Sequence, residues 1–209
     1  MIEAKLLLAT TNQGKTKEIE VYLGKLPIQI FSLLELNSKE TFHEEGKDFL
    51  EIARGKSLFY SQKWEGFTLA EDSGLEIEYL NGAPGILSAR FSGPEATDQR
   101  NIKKVLDLMK GIPNKQRKAR FVSCMVLSQK EKIIKEIKES VKGYITLEER
   151  GLFGFGYDPI FYYSPLRKTF AELLPEEKNK ISHRGRALKK LKEFLLEYLN
   201  PDPNPNCLN

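Results

Sequence analysis

Thr68–Gly93 reads TLAEDSGLEIEYLNGAPGILSARFSG, and its periodicity decides the fold. A short apolar run (Phe67, Leu69, Ala70) meets two adjacent acids, Glu71 and Asp72, and then Ser73-Gly74. Alternation resumes with Leu75, Ile77 and Tyr79 on one face and Glu76 and Glu78 on the other. A period of two predicts a strand, here broken at the small polar pair. Burying two neighbouring carboxylates is costly unless positive charge meets them. A metal ion is the simplest such partner, since hard oxygen ligands suit magnesium; a solvated turn between strands is the plain alternative. The loop beyond, Asn81-Gly82-Ala83-Pro84-Gly85 and then Ser88-Ala89-Arg90, has the backbone freedom to let a ligand approach.

The totals set bounds. The chain has 209 residues, enough for a sizeable core, and reads as a single unit of two lobes over residues 1–200. With 33 basic and 29 acidic side chains the net charge is +4, which favours anionic partners only weakly. Two cysteines argue against a disulfide framework: Cys124 sits in an apolar run, and Cys207 lies in a Pro/Asn-rich tail, 201–209, that reads as disordered. The apolar run Leu6–Ala9 is far too short to cross a membrane, so a cytoplasmic protein with no membrane partner is expected.

Outward from the central stretch, Ala4–Ala9 is a continuous apolar run suited to a strand covered on both faces. It opens into Thr10-Thr11-Asn12-Gln13-Gly14-Lys15 and then a segment with Ile19, Tyr22 and Leu23 at helical spacing. Strand, small polar loop, lysine and helix aim free backbone N–H groups and a cation at one spot, an arrangement suited to phosphate. An ordinary strand-to-helix turn would look similar. Gly14-Lys15-Thr16 also ends like a P-loop, with Ala9 where the first glycine should stand. Cleavage between the β- and γ-phosphates is therefore a rival reading.

Pro27–Leu34 predicts a second strand, and Asp48 caps a helix carrying Phe49, Ile52, Ala53 and Phe59. Glu44, just before that helix, is a candidate metal ligand. Glu95–Met109 predicts another helix, capped by Asp98 or Thr97. Ala119–Leu127 is a strand by its β-branched and aromatic content. After it, Ile133, Ile134, Ile137, Val141 and Ile145 fit a helical period, although a hairpin through Ser128–Glu131 would make the segment a strand.

Gly151–Pro159 alternates glycines with aromatics, which core packing alone does not explain. A flat ring on a flexible backbone suits stacking against a nucleobase; a bulged strand leading to a turn is the competing account. The last helix starts at Ser182 and buries Ala187, Leu188, Leu191, Phe194, Leu195 and Tyr198. His183 and Arg184 fall in its first turn, where the helix dipole disfavours cations. That placement hints at a bound anion. The basic run Lys178–Lys192, beside the Phe/Tyr-Gly segment, motivates a third reading, a nucleic-acid-binding module, against which the modest net charge argues.

Taken together these segments resemble the inosine triphosphate pyrophosphatase family. The resemblance runs from Leu6 to about Leu195 and rests on six motifs in order: Thr10/Asn12/Lys15/Glu18, Glu44–Glu51, Glu71–Leu75, Gly82–Arg90, Gly154–Pro159 and Ser182–Arg184. One departure is Glu51-Ile52-Ala53, where the family usually has Glu-Asn-Ala. The resemblance implies an α/β fold with a long mixed central sheet, flanking helices and an active cleft between two lobes. It also turns Ile133–Ile145 into a strand.

The implied activity is hydrolysis of ITP, dITP or XTP to the monophosphate and pyrophosphate, a nucleotide-pool cleansing role. The implied partners are a small-molecule nucleoside triphosphate, Mg2+ and a second copy of the chain, with no nucleic acid. By the same resemblance Asp72 is the proton acceptor, and Glu44 and Asp72 are the metal ligands, with Glu71 or Glu45 as possible additions. Thr10, Thr11, Asn12, Gln13, Gly14, Lys15 and Ser73 belong to the phosphate side. Phe155, Gly156, Tyr157, Asp158, Lys178, His183 and Arg184 belong to the base side.

Overall fold

The computed structural model describes residues 4–33, 35–36 and 41–200. Its centre is one mixed seven-stranded sheet in the order β2-β1-β3-β4-β5-β6-β7. The strands are β1 (Ala4–Leu8), β2 (Ile28–Ser32), β3 (Phe67–Ile77), β4 (Lys118–Gln129), β5 (Lys132–Ile145), β6 (Phe161–Tyr163) and β7 (Lys168–Thr169). β1 runs parallel to β2 and β3, and every later pairing is antiparallel. Five helices flank it: α1 (Gln13–Leu23), α2 (Phe49–Ser61), α3 (Asp98–Leu108), α4 (Pro175–Ile181) and α5 (His183–Leu199). The end of the second predicted strand at Leu34, and the tail 201–209, lie outside the described residues.

The central stretch corrects one expectation. β3 does not break at Ser73-Gly74 but stays paired with β4 from Thr68 opposite Ser128 to Ile77 opposite Ala119. Glycine is needed at 74 for a different reason: a Cβ there would overlap Ser88 Oγ and stand 2.8 Å from the Gly85 carbonyl oxygen. The 310 turn Gly85–Arg90 packs directly on the strand, and Ser88 Oγ accepts a 2.9 Å bond from the Leu75 N–H. Tyr79 leaves the alternation, lying exposed in a 310 turn after the strand.

The helical period of 133–145 is overruled, because this segment is β5, antiparallel to β4. Lys130 and Glu131 make the connection, with φ of 48° and 60°. Tight hairpin turns need positive φ at both central residues, which asparagine or glycine normally supplies. A Lys-Glu turn carries no such signal, so the pattern alone misleads.

Strand alternation places residues 67, 69, 71, 73, 75 and 77 on one face of β3. Two apolar clusters sit on that face. One gathers Phe67, Leu69, Met125 and Leu127 with Ile19, Ala187, Leu188, Leu191 and Leu195 from α1 and α5. The other gathers Leu75, Ile77, Ala119 and Phe121 with Ile102, Val105, Phe161 and Phe170. Between them runs a polar layer at Glu71 and Ser73, the seam between the two clusters. On the opposite face α2 lays Phe49 and Ala53 against Val122, Cys124 and Val126. The Cys124 thiol, buried here, is pushed up to about 12, chiefly by that burial. Ile52, at the position where the resembled family usually has asparagine, is buried at 1% exposure. Tyr198 departs from its predicted burial: it is half exposed, its ring edge-on to Phe67.

Candidate active site

The seam opens into a cleft of about 600 Å³. One wall begins where β1 hands over to α1. The Asn12 side chain caps α1 by accepting the Lys15 N–H at 3.0 Å, and this sets Lys15 in the first turn, facing inward. Its amine lies 3.5 Å from the Glu71 carbonyl oxygen. Burial lowers its pKa, with Glu71 and Asp72 opposing and Arg184 and Lys56 assisting.

Alternation along β3 separates the two adjacent acids. Glu71 turns toward α5, where both of its oxygens accept from Arg184 Nε (3.0 and 2.8 Å) and one accepts from Ser123 Oγ at 2.7 Å. Burial works to raise this carboxyl, but the Arg184 and Lys15 charges overcome it and hold it at about 2. Asp72 turns toward α2, and its Oδ2 is buried with no hydrogen-bond partner among the described residues. Burial raises its carboxyl to about 6 against the pull of Lys15 and Lys56, with Glu44 and Glu71 assisting the rise. One acid is therefore neutralised by the protein, and its neighbour is left to be neutralised by something else.

Glu44 reaches the same cleft from the loop before α2, where it pairs with Lys56 and, at 3.1 Å, with Arg90. Burial works to raise its carboxyl too; Lys56, Arg90 and Lys15 bring the net shift downward. Two hard carboxylates face this part of the cleft: Asp72 has an unpartnered buried oxygen suited to a divalent cation, whereas both Glu44 oxygens are engaged by Lys56 and Arg90 and would have to be released to join it. Glu71 is spent on Arg184, which removes it from that role.

The opposite wall holds the residues expected on the base side. Asp158 Oδ2 accepts the Phe155 N–H at 3.0 Å and Lys178 Nζ at 2.5 Å. Lys178 also donates to Glu18 (2.9 Å), and Arg184 Nη1 donates to the other Glu18 oxygen at 2.6 Å. Burial would lower Lys178, but the charges of Asp158 and Glu18 raise it. The Phe155 ring lies under both cations, 4.7 Å from Lys178 Nζ and 5.3 Å from the Arg184 guanidinium carbon. His183 stacks on Phe121 with centroids 4.7 Å apart, and burial first, then Arg184, hold it neutral.

The first-turn cations of α5 are thus explained without a ligand. His183 is uncharged, and Arg184 finds its anions in Glu71 and Glu18. With Nε on Glu71, Nη1 on Glu18 and Nη2 on Ser73, two of its five N–H groups remain for any bound molecule. The basic run Lys178–Lys192 is likewise no surface stripe at its start, since Lys178 and Arg184 are both buried.

Of the residues singled out from sequence, Thr10, Thr11, Asn12, Lys15, Glu44, Asp72, Ser73, Phe155, Gly156, Tyr157, Asp158, Lys178, His183 and Arg184 line the cleft. Gln13 and Gly14 do not: Gln13 is exposed at the start of α1, and Gly14 abuts the Phe155 ring. Tyr157 gives its hydroxyl to the Ser88 carbonyl at 2.8 Å. Lys56 and Asp98 line the cleft as well, and Glu18 bridges its two buried cations; sequence reasoning placed none of them in the site, giving Glu18 only as a motif residue and Asp98 only as a candidate helix cap. Lys56 lies on α2 at i+4 and i+3 from the buried Ile52 and Ala53, a helical spacing by which it could have been found.

Residues 6–194 match the model of the Ham1 family. A dITP/XTP pyrophosphatase of Thermoanaerobacter pseudethanolicus is 44% identical over 195 residues, covering 93% of this chain and 98% of the relative. The dITP/XTP pyrophosphatase of Bacillus subtilis is 43% identical over 93% of this chain and 98% of its own length. Among solved structures, a HAM1 protein from Coxiella burnetii has a TM-score of 0.84 at 38% identity, covering 93% of this chain and 99% of its own. The Ham1 protein of Staphylococcus aureus has a TM-score of 0.83 at 36% identity, with the same coverage.

Proposed function

The chain belongs to the Ham1 family, and on that footing we propose that it hydrolyses deaminated purine nucleoside triphosphates, of the dITP and XTP type, to the monophosphate and pyrophosphate. The P-loop reading has no support in these relatives, and Ala9 lacks the backbone freedom of the glycine that such a loop requires. The observation that carries the mechanism is Asp72: a cleft carboxylate with an unpartnered oxygen and a pKa near 6, beside Lys15 and Lys56.

In this reading Thr10, Asn12 and Lys15 hold the triphosphate oxygens, with Ser73 nearby. Lys15 and Lys56 offset the repulsion that an attacking oxygen meets. Asp72 takes the proton of a water as its oxygen bonds to the α-phosphorus, and the bond from that phosphorus to the bridging oxygen breaks, releasing pyrophosphate. Glu44 and Asp72 would hold a divalent cation. Mg2+ suits two carboxylates plus phosphate oxygens, and when bound it supplies further charge neutralisation on the phosphates.

On the base side, Phe155 offers a stacking face, and Lys178 and Arg184 keep a few free N–H donors. An acceptor oxygen at C6 of hypoxanthine or xanthine meets those donors. The amino group of adenine leaves them unpaired, which costs about 1–3 kcal/mol per contact. A second copy of the chain is the assembly we propose.

The test is product analysis. ITP, dITP or XTP with Mg2+ should yield pyrophosphate while ATP is spared, and chelation should abolish turnover until Mg2+ is restored. Orthophosphate released from ATP would overturn the assignment.

A further inference from the structure

The segment 149–158 carries the ring that faces the base, and its two ends are pinned from outside, by Thr169 Oγ1 on the Arg150 carbonyl at 2.8 Å and by Lys178 on Asp158 at 2.5 Å. At its start the Leu152 and Phe153 N–H groups both reach the Ala171 carbonyl at 3.0 Å. The Phe155 N–H bonds within the segment, to Asp158. Gly156 is different. It has φ of 59°, and no heavy atom lies within 4 Å of where its Cβ would stand, so space is open on that side of the backbone. Its N–H instead reaches across to Asp98 Oδ2 on α3, at 2.6 Å.

Asp98 is the acid in the first turn of α3, where a carboxylate favours the helix dipole, but it is not the cap. Thr97 is the N-cap and accepts the Arg100 N–H at 3.2 Å, so Asp98 is free for its contact with the loop. The next residue repeats the connection, since Gln99 Nε2 donates to both Glu149 oxygens at 2.9 and 3.0 Å. Asn101 ties the same helix to the Ser88 and Ala89 carbonyls at 3.3 and 3.2 Å, and Ser88 also receives the Tyr157 hydroxyl. Burial first, and then the Asp98 charge, push the Tyr157 phenol up, as expected for a carboxylate lodged against this loop.

We infer that Asp98 is a positioning residue, its carboxylate latching the Gly156 N–H so that Phe155 is held at the height where a purine base stacks. The inference rests on reading the cleft as a nucleoside triphosphate site. A loose Gly156 would let the neighbouring ring slide off Lys178 and Arg184, and the base would lose its platform while the phosphate side stays intact. The hydrogen bond to a charged acceptor is of the stronger kind, so its loss should weaken nucleotide capture about tenfold.

The experiment compares Asp98→Ala with Asp98→Asn, which keeps an acceptor oxygen for the Gly156 N–H. KM and kcat for ITP are measured, with the inhibition constant of inorganic tripolyphosphate and the amide hydrogen exchange of residues 155–157. Asp98→Ala should raise KM about tenfold with kcat retained, leave tripolyphosphate inhibition unchanged and speed the exchange; Asp98→Asn should restore most of both. Unchanged KM and exchange in Asp98→Ala would overturn the latch, as would a tripolyphosphate constant that weakens in parallel or an Asp98→Asn protein no better than Asp98→Ala. If the wild-type protein releases no pyrophosphate from ITP, the functional reading fails, and the exchange comparison still decides whether the latch exists.

Discussion

Arg184 and Glu71 are joined by bonds of 3.0 and 2.8 Å from one guanidinium nitrogen to both carboxylate oxygens, with each side chain almost wholly buried. The pair ties the first turn of α5 to the middle of β3, at the polar seam between the two apolar clusters. It also leaves Asp72, next in sequence, as the cleft acid without a partner.

Breaking this pair should cost stability. Glu71→Gln leaves the guanidinium with Glu18 alone, and removing one partner of a buried pair costs about 3 kcal/mol or more. Urea unfolding at pH 7 would read the loss. The pH dependence has a definite sign. The folded-state carboxyl is held at about 2 against an ordinary 4.5, so its contribution is complete above pH 4.5 and is lost as pH falls toward 2. Wild type and Glu71→Gln should therefore converge in acid; a gap that stays constant from pH 7 to pH 3 would refute the assignment.

Asp72→Asn should separate catalysis from folding. Turnover of ITP should disappear while the fold persists, and near-normal rates would remove Asp72 from the reaction. Because burial raises this carboxyl to about 6, ionising it at pH 7 opposes folding of the ligand-free protein. That penalty is absent below pH 3.8 and complete above pH 6. Asp72→Asn should therefore gain on the order of 3 kcal/mol of ligand-free stability at pH 7.5 and little at pH 4.

Gly14→Ala should leave the fold intact while weakening substrate capture. A Cβ at Gly14 would stand 2.9 Å from the Phe155 ring, so the ring must shift off its two cations. The helix itself gains from the change, by up to about 1 kcal/mol. Expected together are an unchanged or raised melting temperature and a several-fold higher KM for ITP; an unaltered KM would show that Phe155 is not placed by this contact.

Arg117 offers the opposite dissociation. Its buried guanidinium donates to the carbonyls of Ile145 (2.7 Å), Met109 (2.6 Å) and Thr146 (2.6 Å), closing the connection between α3 and the end of β5. Arg117→Met should cost about 3 kcal/mol in urea unfolding by leaving these acceptors unpaired. KM for ITP, measured well below the melting temperature, should not move.

Much of this molecule was written in local pattern. The apolar run of β1, the Asp48 and Ser182 caps, the alternation flanking Glu71 and the order of the short motifs are properties of neighbouring residues, so backbone geometry and side-chain period suffice to read them. What tertiary structure alone decided is how charges are shared. Glu71 and Asp72 are adjacent acids in the sequence; strand alternation sends one to Arg184, 113 positions away, and leaves the other beside Lys15 and Lys56. The Lys130-Glu131 turn and the reach of Asp98 to Gly156 have the same character. A pKa, a hairpin without glycine and a latch between distant segments are set by which groups meet in three dimensions, and one-dimensional periodicity carries no record of that.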